Sequence, residues 1–302
     1  MNQGIYIIAN DRVTEQAIAL LKSIRLYDPD TPIVMIPYND QYQVIAELIT
    51  QPYGVQIYED LDFLDYISQL ITKICGKDFF DRPNLLRKLA CWFGSFDEFL
   101  YIDTDIIVFE RIIDNLSYLK TYDFICCDYQ HLGGINQIFR PKIFEIFTQE
   151  DIKDVFNSGF WGAKKSLISQ KDLEDTFTFY ASHPDYFYLL NSDQTVLNYL
   201  VLKKTSRRFN LVREPGQGMG NWAGSKHFQP QGNVLIDPKV NQPLKFLHWA
   251  GVPLKPGSPY WDIWKHYRYL GELIPDDKSL SAQTPQNVWQ QMANKLRSVL
   301  GS

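Results

Sequence analysis

Cysteine is scarce in this sequence, with four in 302 residues, at positions 75, 91, 126 and 127. None is spaced C-x-x-C and none has paired histidines nearby, so the ligand patterns of structural zinc sites are missing. Reduced thiols packed as small hydrophobes account for all four, and the chain reads as cytosolic. An excess of basic charge is also lacking. Thirty Lys and Arg stand against 35 Asp and Glu, for a net charge of −5 and a pI near 5.6. Binding to nucleic acid needs a cationic face, so nucleic acid is not an expected partner. The densest basic group, Lys203, Lys204, Arg207 and Arg208, reads as a solvated turn. No apolar run reaches the roughly 18 residues of a membrane span, and MNQGIYIIAN has no basic leader before its strand-like run. There is no internal repeat; WAG at 222–224 and 249–251 follows no period.

What is present alternates strand and helix. GIYIIAN (4–10) and TPIVMIPYND (31–40) are apolar runs of buried-strand type. Between them Ala17, Leu20, Leu21 and Ile24 recur at helical spacing over 14–27, with Thr14 placed as a cap. This βαβ order predicts an α/β fold with a mostly parallel central sheet and flanking helices. Asn10, Asp11, Tyr38, Asn39 and Asp40 then fall at the carboxyl ends of strands, where open α/β sheets bind ligands. Residues 87–96 read as helix, YDFICCDY (122–129) as another strand, and SDQTVLNYLVLK (192–203) as a short amphipathic helix capped by Ser192. REPGQGMGNWAGSKHF (213–228) is a long irregular stretch of the sort that forms lids. We expect one domain over 1–273, in two halves at 1–110 and 111–273. A polar segment and an amphipathic helix follow over 274–302.

FLYIDTDIIVF (99–109) sets two carboxylates between apolar runs, a costly place for unpartnered charge. Read as one strand, it projects Asp103 and Asp105 to the same side. Two hard oxygen donors at that pitch suit Mn²⁺ or Mg²⁺. The competing reading is two aspartates at an exposed strand end. PLKFLHWAG (243–251) ends a strand at His248, whose imidazole suits Mn²⁺ but also serves as an ordinary structural residue.

Four ordered segments, FLYIDTDIIVF, FNSGFWG (156–162), NSDQTVLN (191–198) and HWAGVPLKP (248–256), together resemble the motifs of the family 8 retaining glycosyltransferases, which include glycogenin and bacterial lipopolysaccharide galactosyl- and glucosyltransferases. RKLACW (87–92) is similar to the glycogenin segment that precedes its DxD strand. The resemblance runs from residue 4 to about 256 and implies a GT-A-like, nucleotide-diphospho-sugar transferase architecture, with 1–110 as the nucleotide-binding half and 111–273 as the donor-sugar and acceptor half. It implies Asp103, Asp105 and His248 as Mn²⁺ ligands, and Ala9, Asn10, Asp11, Lys88, Thr104 and Lys255 around the nucleotide and diphosphate. It also implies Asn157, Ser158, Asp128 and Lys88 at the donor sugar, and Asp193 with Gln194 flanking the anomeric centre. Arg82 is a further helper.

Each residue has a plainer reading: Asn157–Ser158 and Asn10–Asp11 as turns, Asp193 as a helix-start charge, Lys88 as a solvated helix residue. The sequence also departs from the family. His248, Gly251 and Lys255 contain one residue more than HxxGxxK, and Leu190 replaces glycogenin's aspartate three residues before the Asp–Gln pair.

The expectation is a metal-dependent retaining transferase moving a hexose from a nucleotide sugar, UDP-linked, to a glycan, lipid-linked or protein acceptor that no motif marks. Rival readings are a nucleotide-sugar-binding module without turnover and a haloacid-dehalogenase-type phosphotransferase, the latter opposed by Ile107 where Thr or Val is required. A sugar nucleotidyltransferase is opposed by the missing Gly-rich basic loop after the first strand. Trp161, Trp222, Trp249, Tyr260 and Trp261 either stack on sugars or pack, with packing the default. Val288, Met292, Leu296 and Val299 share one face of a helix at 285–300, which with Lys295 and Arg297 offers weak membrane-surface contact, a homodimer contact, or packing on its own domain.

Overall fold

The computed structural model describes residues 2–76, 82–188, 192–214, 221–277 and 280. The alternation opens as β1 (Gln3–Ala9), α1 (Thr14–Tyr27), β2 (Ile33–Pro37), α2 (Gln43–Tyr53), β3 (Val55–Ile57) and α3 (Leu61–Cys75). It continues through β4 (Glu98–Ile102), β5 (Ile106–Val108), β6 (Phe124–Cys126), α4 (Gln149–Ile152), β7 (Phe160–Lys164), α5 (Gln170–Ser182), α6 (Ser192–Lys204) and β8 (Arg208–Asn210). The last described part holds β9 (Gln229–Gln231), β10 (Val234–Asp237), β11 (Gln242–Pro243), β12 (Phe246–His248) and α7 (Trp261–Arg268).

Seven strands form one sheet in the order β3-β2-β1-β4-β7-β6-β8. All neighbours run parallel except β7, which is antiparallel to both β4 and β6. The mostly parallel sheet is therefore as expected, with one reversed strand inserted beside β4. Both faces are covered. Ile5, Ile7, Leu100 and Ile102 pack against Ala17, Leu20, Leu21 and Ile24 of α1, while Tyr6, Phe99 and Tyr101 pack on the other side with Trp92 and Trp161. Strands buried on both sides read as unbroken apolar runs, which is why β1, β2 and β4 stand out in the sequence. A third cluster, with Ile107, Leu247, Trp249, Trp261, Trp264 and Tyr267, attaches α7 to α1; Tyr27 and Tyr267 share a hydroxyl–hydroxyl hydrogen bond of 3.0 Å.

Several local expectations change. Residues 99–109 are not one strand: β4 ends at Ile102, Asp103 to Asp105 form a turn, and β5 joins a different two-stranded sheet with β12. Most of 87–96 is 3₁₀-helix, within Pro83–Phe93, rather than α-helix. Helix α6 is buried from Gln194 to Leu202, packed on α5 and on the 3₁₀ segment Pro83–Phe93, and so is not amphipathic. Thr14 is a first helical residue whose hydroxyl donates to the Asp11 carbonyl, while Asn10 caps the preceding turn by accepting from Arg12 N–H. Arg208 is buried rather than solvated, donating to the Asp151 carbonyl at 2.7 Å. All four cysteines are free thiols. No helix among the described residues is long and apolar enough to cross a membrane. The expected helix at 285–300 and residues 215–220 of the irregular stretch lie outside the described residues.

Candidate active site

A cavity of about 670 Å³ opens at the carboxyl ends of β1, β2 and β4. Its walls come from seven parts of the chain: Ala9, Asn10, Arg12 and Gln16; Tyr38 and Asn39; Arg82 and Lys88; Asp103 to Asp105; Asn157 and Ser158; Asp193; and His248, Ala250 and Gly251. Strand ends converge there because parallel neighbours stop together, leaving their following turns on one rim. Asn10 and Asn39 tie the first two rims by a 3.3 Å side-chain hydrogen bond.

The pairing of β12 with β5 delivers the histidine. His248 lies opposite Ile106, one residue beyond Asp105, and Trp249 N–H donates to the Asp105 carbonyl at 3.0 Å. His248 Nε2 stands 3.1 Å from Asp105 Oδ1, and one donor atom from each of Asp103, Asp105 and His248 lies within 4.8 Å of the others. Asp103 and Asp105 keep 26% and 32% of their side chains open while the histidine keeps 7%, so the group is walled by protein and open toward the cavity. Asp103 is further held by Tyr101, whose hydroxyl donates to Oδ1 at 2.5 Å, and by its own N–H, which donates to the Gly159 carbonyl at 2.8 Å. Gly159 matters sterically: a Cβ there would sit 2.3 Å from His248 Cε1 and 2.9 Å from Asp103 Oδ2.

Charge sets the protonation preferences. Burial pushes the Asp103 carboxyl up, with Asp105 adding to the effect and Lys88 only partly opposing it. Burial acts the same way on Asp105, but His248 outweighs it and holds that carboxyl low. Burial alone would depress the imidazole, yet the facing Asp105 and Asp103 carboxylates raise it. Two hard oxygens and a borderline nitrogen thus meet in one cluster, a donor set that would fit a divalent cation such as Mn²⁺ or Mg²⁺.

Lys88 is buried, and a buried ammonium requires partners. Its Nζ lies 2.9 Å from Asp193 Oδ2 and 3.4 Å from Asp103 Oδ1, above the Tyr101 ring at 4.8 Å. Ser158 Oγ donates to the same Asp193 oxygen at 2.8 Å. Burial would raise the Asp193 carboxyl, but Lys88 and then Ser158 hold it below the ordinary range, so it is an anion. Lys88 is no solvated helix residue; it links the two acidic halves of the cleft.

Of the sequence candidates, Ala9, Asn10, Lys88, Asp103, Thr104, Asp105, Asn157, Ser158, Asp193 and His248, with Arg82, line this one cavity. Four do not. Asp11 is spent on the start of α2, accepting from Ile45 N–H at 2.9 Å. Asp128 is buried and accepts from Gln130 N–H, Asn157 N–H and His131. Gln194 lies behind Asp193 with its amide toward His131. Lys255 is exposed in the loop after β12, where its carbonyl accepts from Ser258 N–H. Asn157 is also the turn former of the plainer reading, its Oδ1 accepting from Gly159 N–H.

Trp161, Trp249 and Trp261 are core residues, as the packing default has it. Trp222 Nε1 donates to Ala250 O and Tyr260 to Ser225 O. Sequence reasoning missed Arg12, Gln16, Tyr101, His131 and the steric role of Gly159. Tyr38 and Asn39 carried a signal, their place after β2.

A mannosyltransferase family model matches residues 2–123. A comparison with curated proteins gives no match. Among solved structures, the galactosyltransferase LgtC, captured with donor and acceptor sugar analogs, superposes with a TM-score of 0.60 at 13% identity, covering 96% of this chain and 99% of that one. An active-site mutant of LgtC gives 0.54 at 12% identity, with 97% and 95% covered. The bifunctional glycosyltransferase WbbM gives 0.59 at 13% identity over 92% of this chain, which spans about half, 51%, of WbbM. The fold is that of a GT-A glycosyltransferase. Its sheet places the rim of β1, β2 and β4, and with it the Asp103–Asp105–His248 group, at the mouth of the cavity.

Proposed function

We propose that this chain is a metal-dependent retaining glycosyltransferase, of the family 8 type, that moves a hexose from a UDP-linked donor. The observation that carries the reading is the convergence of Asp103, Asp105 and His248, drawn from two distant segments, on one wall of a cleft that also holds the Lys88–Asp193 pair. The likeness to LgtC, a galactosyltransferase that binds donor and acceptor sugar analogs, supports a donor site in this cleft.

Asp103, Asp105 and His248 would hold the cation, which when bound would supply positive charge against the diphosphate of the donor. The remaining work falls to the chain. Asn10, Tyr38, Asn39, Arg12 and Gln16 present hydrogen-bonding groups where a base and ribose would lie. Ser158 and Asn157 wall the same cleft as Asp193 and would orient the sugar. Asp193 is the nearest carboxylate candidate for a nucleophile, but one of its oxygens already accepts from Lys88 and Ser158. An anion tied in this way serves better to stabilise positive charge growing at the anomeric carbon than to attack it. We therefore favour attack by the acceptor on the face the diphosphate leaves, with a diphosphate oxygen taking the acceptor's proton.

One observation favours a second reading, a nucleotide-sugar-binding module without turnover: Lys255 stands exposed outside the cleft. A thermal-shift panel of UDP-hexoses and GDP-mannose with and without Mn²⁺, followed by assay of sugar release, separates the two. The mannosyltransferase family model is the reason to include the mannose donor. Mn²⁺-dependent stabilisation with sugar release supports the transferase; stabilisation alone supports the module; no response to any donor overturns both.

A further inference from the structure

Behind the cleft wall lies a buried dyad that the proposed mechanism leaves unused. Asp128 and His131 follow β6, are 2% and 8% exposed, and meet at 2.5 Å between Asp128 Oδ2 and His131 Nδ1. The aspartate is fixed on every side. Its Oδ1 accepts from Gln130 N–H at 3.0 Å and its Oδ2 also from Asn157 N–H at 2.9 Å, while its own backbone is clamped by both ends of the Asn210 amide. On its far side the imidazole meets Gln194, Nε2 to Nε2, at 3.4 Å.

Donor and acceptor logic gives this chain of groups one direction. A carboxylate already taking two backbone N–H bonds is an acceptor, so His131 Nδ1 must carry a proton. In the neutral ring Nε2 is then an acceptor, and only the NH₂ end of the Gln194 amide can face it. The amide carbonyl is thereby turned away from the histidine. Gln194 follows Asp193, whose carboxylate lines the cleft, and Asn157, held by the same Asp128 oxygen, lines it too. Gln194 itself stands behind that wall, so the direction of its amide acts on the cleft through the adjoining Asp193 and through Asn157, which shares Asp128.

We propose that Asp128 and His131 are a positioning pair that sets the tautomer of the imidazole and, through it, the direction of the Gln194 amide behind the Asp193–Asn157 wall of the cleft. The kinetic consequence rests on the glycosyltransferase reading; the hydrogen-bond direction does not.

Two measurements test it. In protein labelled with ¹⁵N in its histidine rings, His131, assigned by loss of its signals in His131→Asn, should show a protonated Nδ1 and a bare Nε2, and the Nε2 signal should move in Gln194→Leu. A protonated Nε2, or a signal indifferent to Gln194→Leu, overturns the proposal, and this holds whether or not the chain transfers sugar. The second measurement is a kinetic cycle. His131→Asn can still donate to Asp128 but cannot reach Gln194, whereas His131→Gln can offer an acceptor near the lost Nε2. We expect His131→Asn to lower kcat at least about tenfold with donor KM changed less than about threefold, His131→Gln to recover part of the loss, and His131→Asn to cost nothing further in a Gln194→Ala background. Full kcat in His131→Asn, or losses that simply multiply with those of Gln194→Ala, would overturn it. Should His131→Asn fail to fold, the spectrum of the wild-type ring and its response to Gln194→Leu decide alone. Absence of transfer by the wild type with every donor would count against the proposed function and leave the ring measurement standing.

Discussion

Gly159→Ala offers a sharp test of the proposed metal site because the substitution adds one methyl group and nothing else. The backbone of Gly159 is outside the left-handed region, so alanine adopts it without strain. The methyl carbon would sit 2.3 Å from His248 Cε1 and 2.9 Å from both His248 Nε2 and Asp103 Oδ2. Carbon atoms rest about 3.5–4.0 Å apart, so the imidazole must retreat by roughly 1 Å or more. It has little room, since its backbone N–H donates to Asn221 O at 2.7 Å and its strand is locked to β5. Metal sites tolerate ligand shifts of about 0.2 Å. Overpacking of this kind costs about 1–3 kcal/mol of stability. Displacing a ligand should weaken Mn²⁺ binding at least as much as losing an outer-sphere partner does, about 10–100-fold, which is about 1.4–2.7 kcal/mol at about 1.4 kcal/mol per tenfold.

Calorimetric titration with Mn²⁺ measures this directly. Gly162→Ala, in the strand that follows, is the control, for its Cβ would meet Leu100 at 2.9 Å and Ile125 at 3.0 Å but none of Asp103, Asp105 and His248. Both variants should lose stability, and only Gly159→Ala should lose affinity. Unchanged Mn²⁺ affinity in Gly159→Ala, with the protein folded, would refute the site.

Other outcomes follow from the same contacts. Lys88→Met should cost the metal-free protein roughly 3 kcal/mol, since two carboxylates lose a buried cation; denaturant titration showing wild-type stability would contradict the pairing. Asp105→Asn should abolish the Mn²⁺-dependent rise in melting temperature and any Mn²⁺-dependent sugar release, and chelation of the wild type should reproduce both losses. At the start of α5, Ser169 and Asp172 form a reciprocal cap, and Ser169→Ala should cost about 1 kcal/mol by thermal denaturation. Burial would raise the Asp172 carboxyl, but the Ser169 hydroxyl and backbone N–H and then Lys204 hold it low. Its stabilisation is therefore complete above the unfolded carboxyl value of about 3.9 and lost as pH falls through the lower folded value. The gap in melting temperature between wild type and Asp172→Asn should be level from pH 5 to 8 and close below about pH 4; a gap that persists there would refute the assignment.

The parallel α/β core was legible because its signal is local. Runs such as Ile5–Tyr6–Ile7–Ile8 and the spacing of Ala17, Leu20, Leu21 and Ile24 are set within a few residues, and burial follows them. The aspartate pair was legible too, though by a faulty route. Strand alternation was to align Asp103 with Asp105, whereas the structure puts them in a turn between strands of two different sheets. Motif order supplied His248, but its distance from Asp105 depends on the register of β12 on β5, and pairing across that much chain leaves no trace in local periodicity. The diversions of Asp11 to α2, of Asp128 to His131 and of Lys255 to solvent are likewise invisible in the sequence. A residue type states which bonds a side chain can make. Which of those bonds it does make is decided by the packing of segments far apart in the chain.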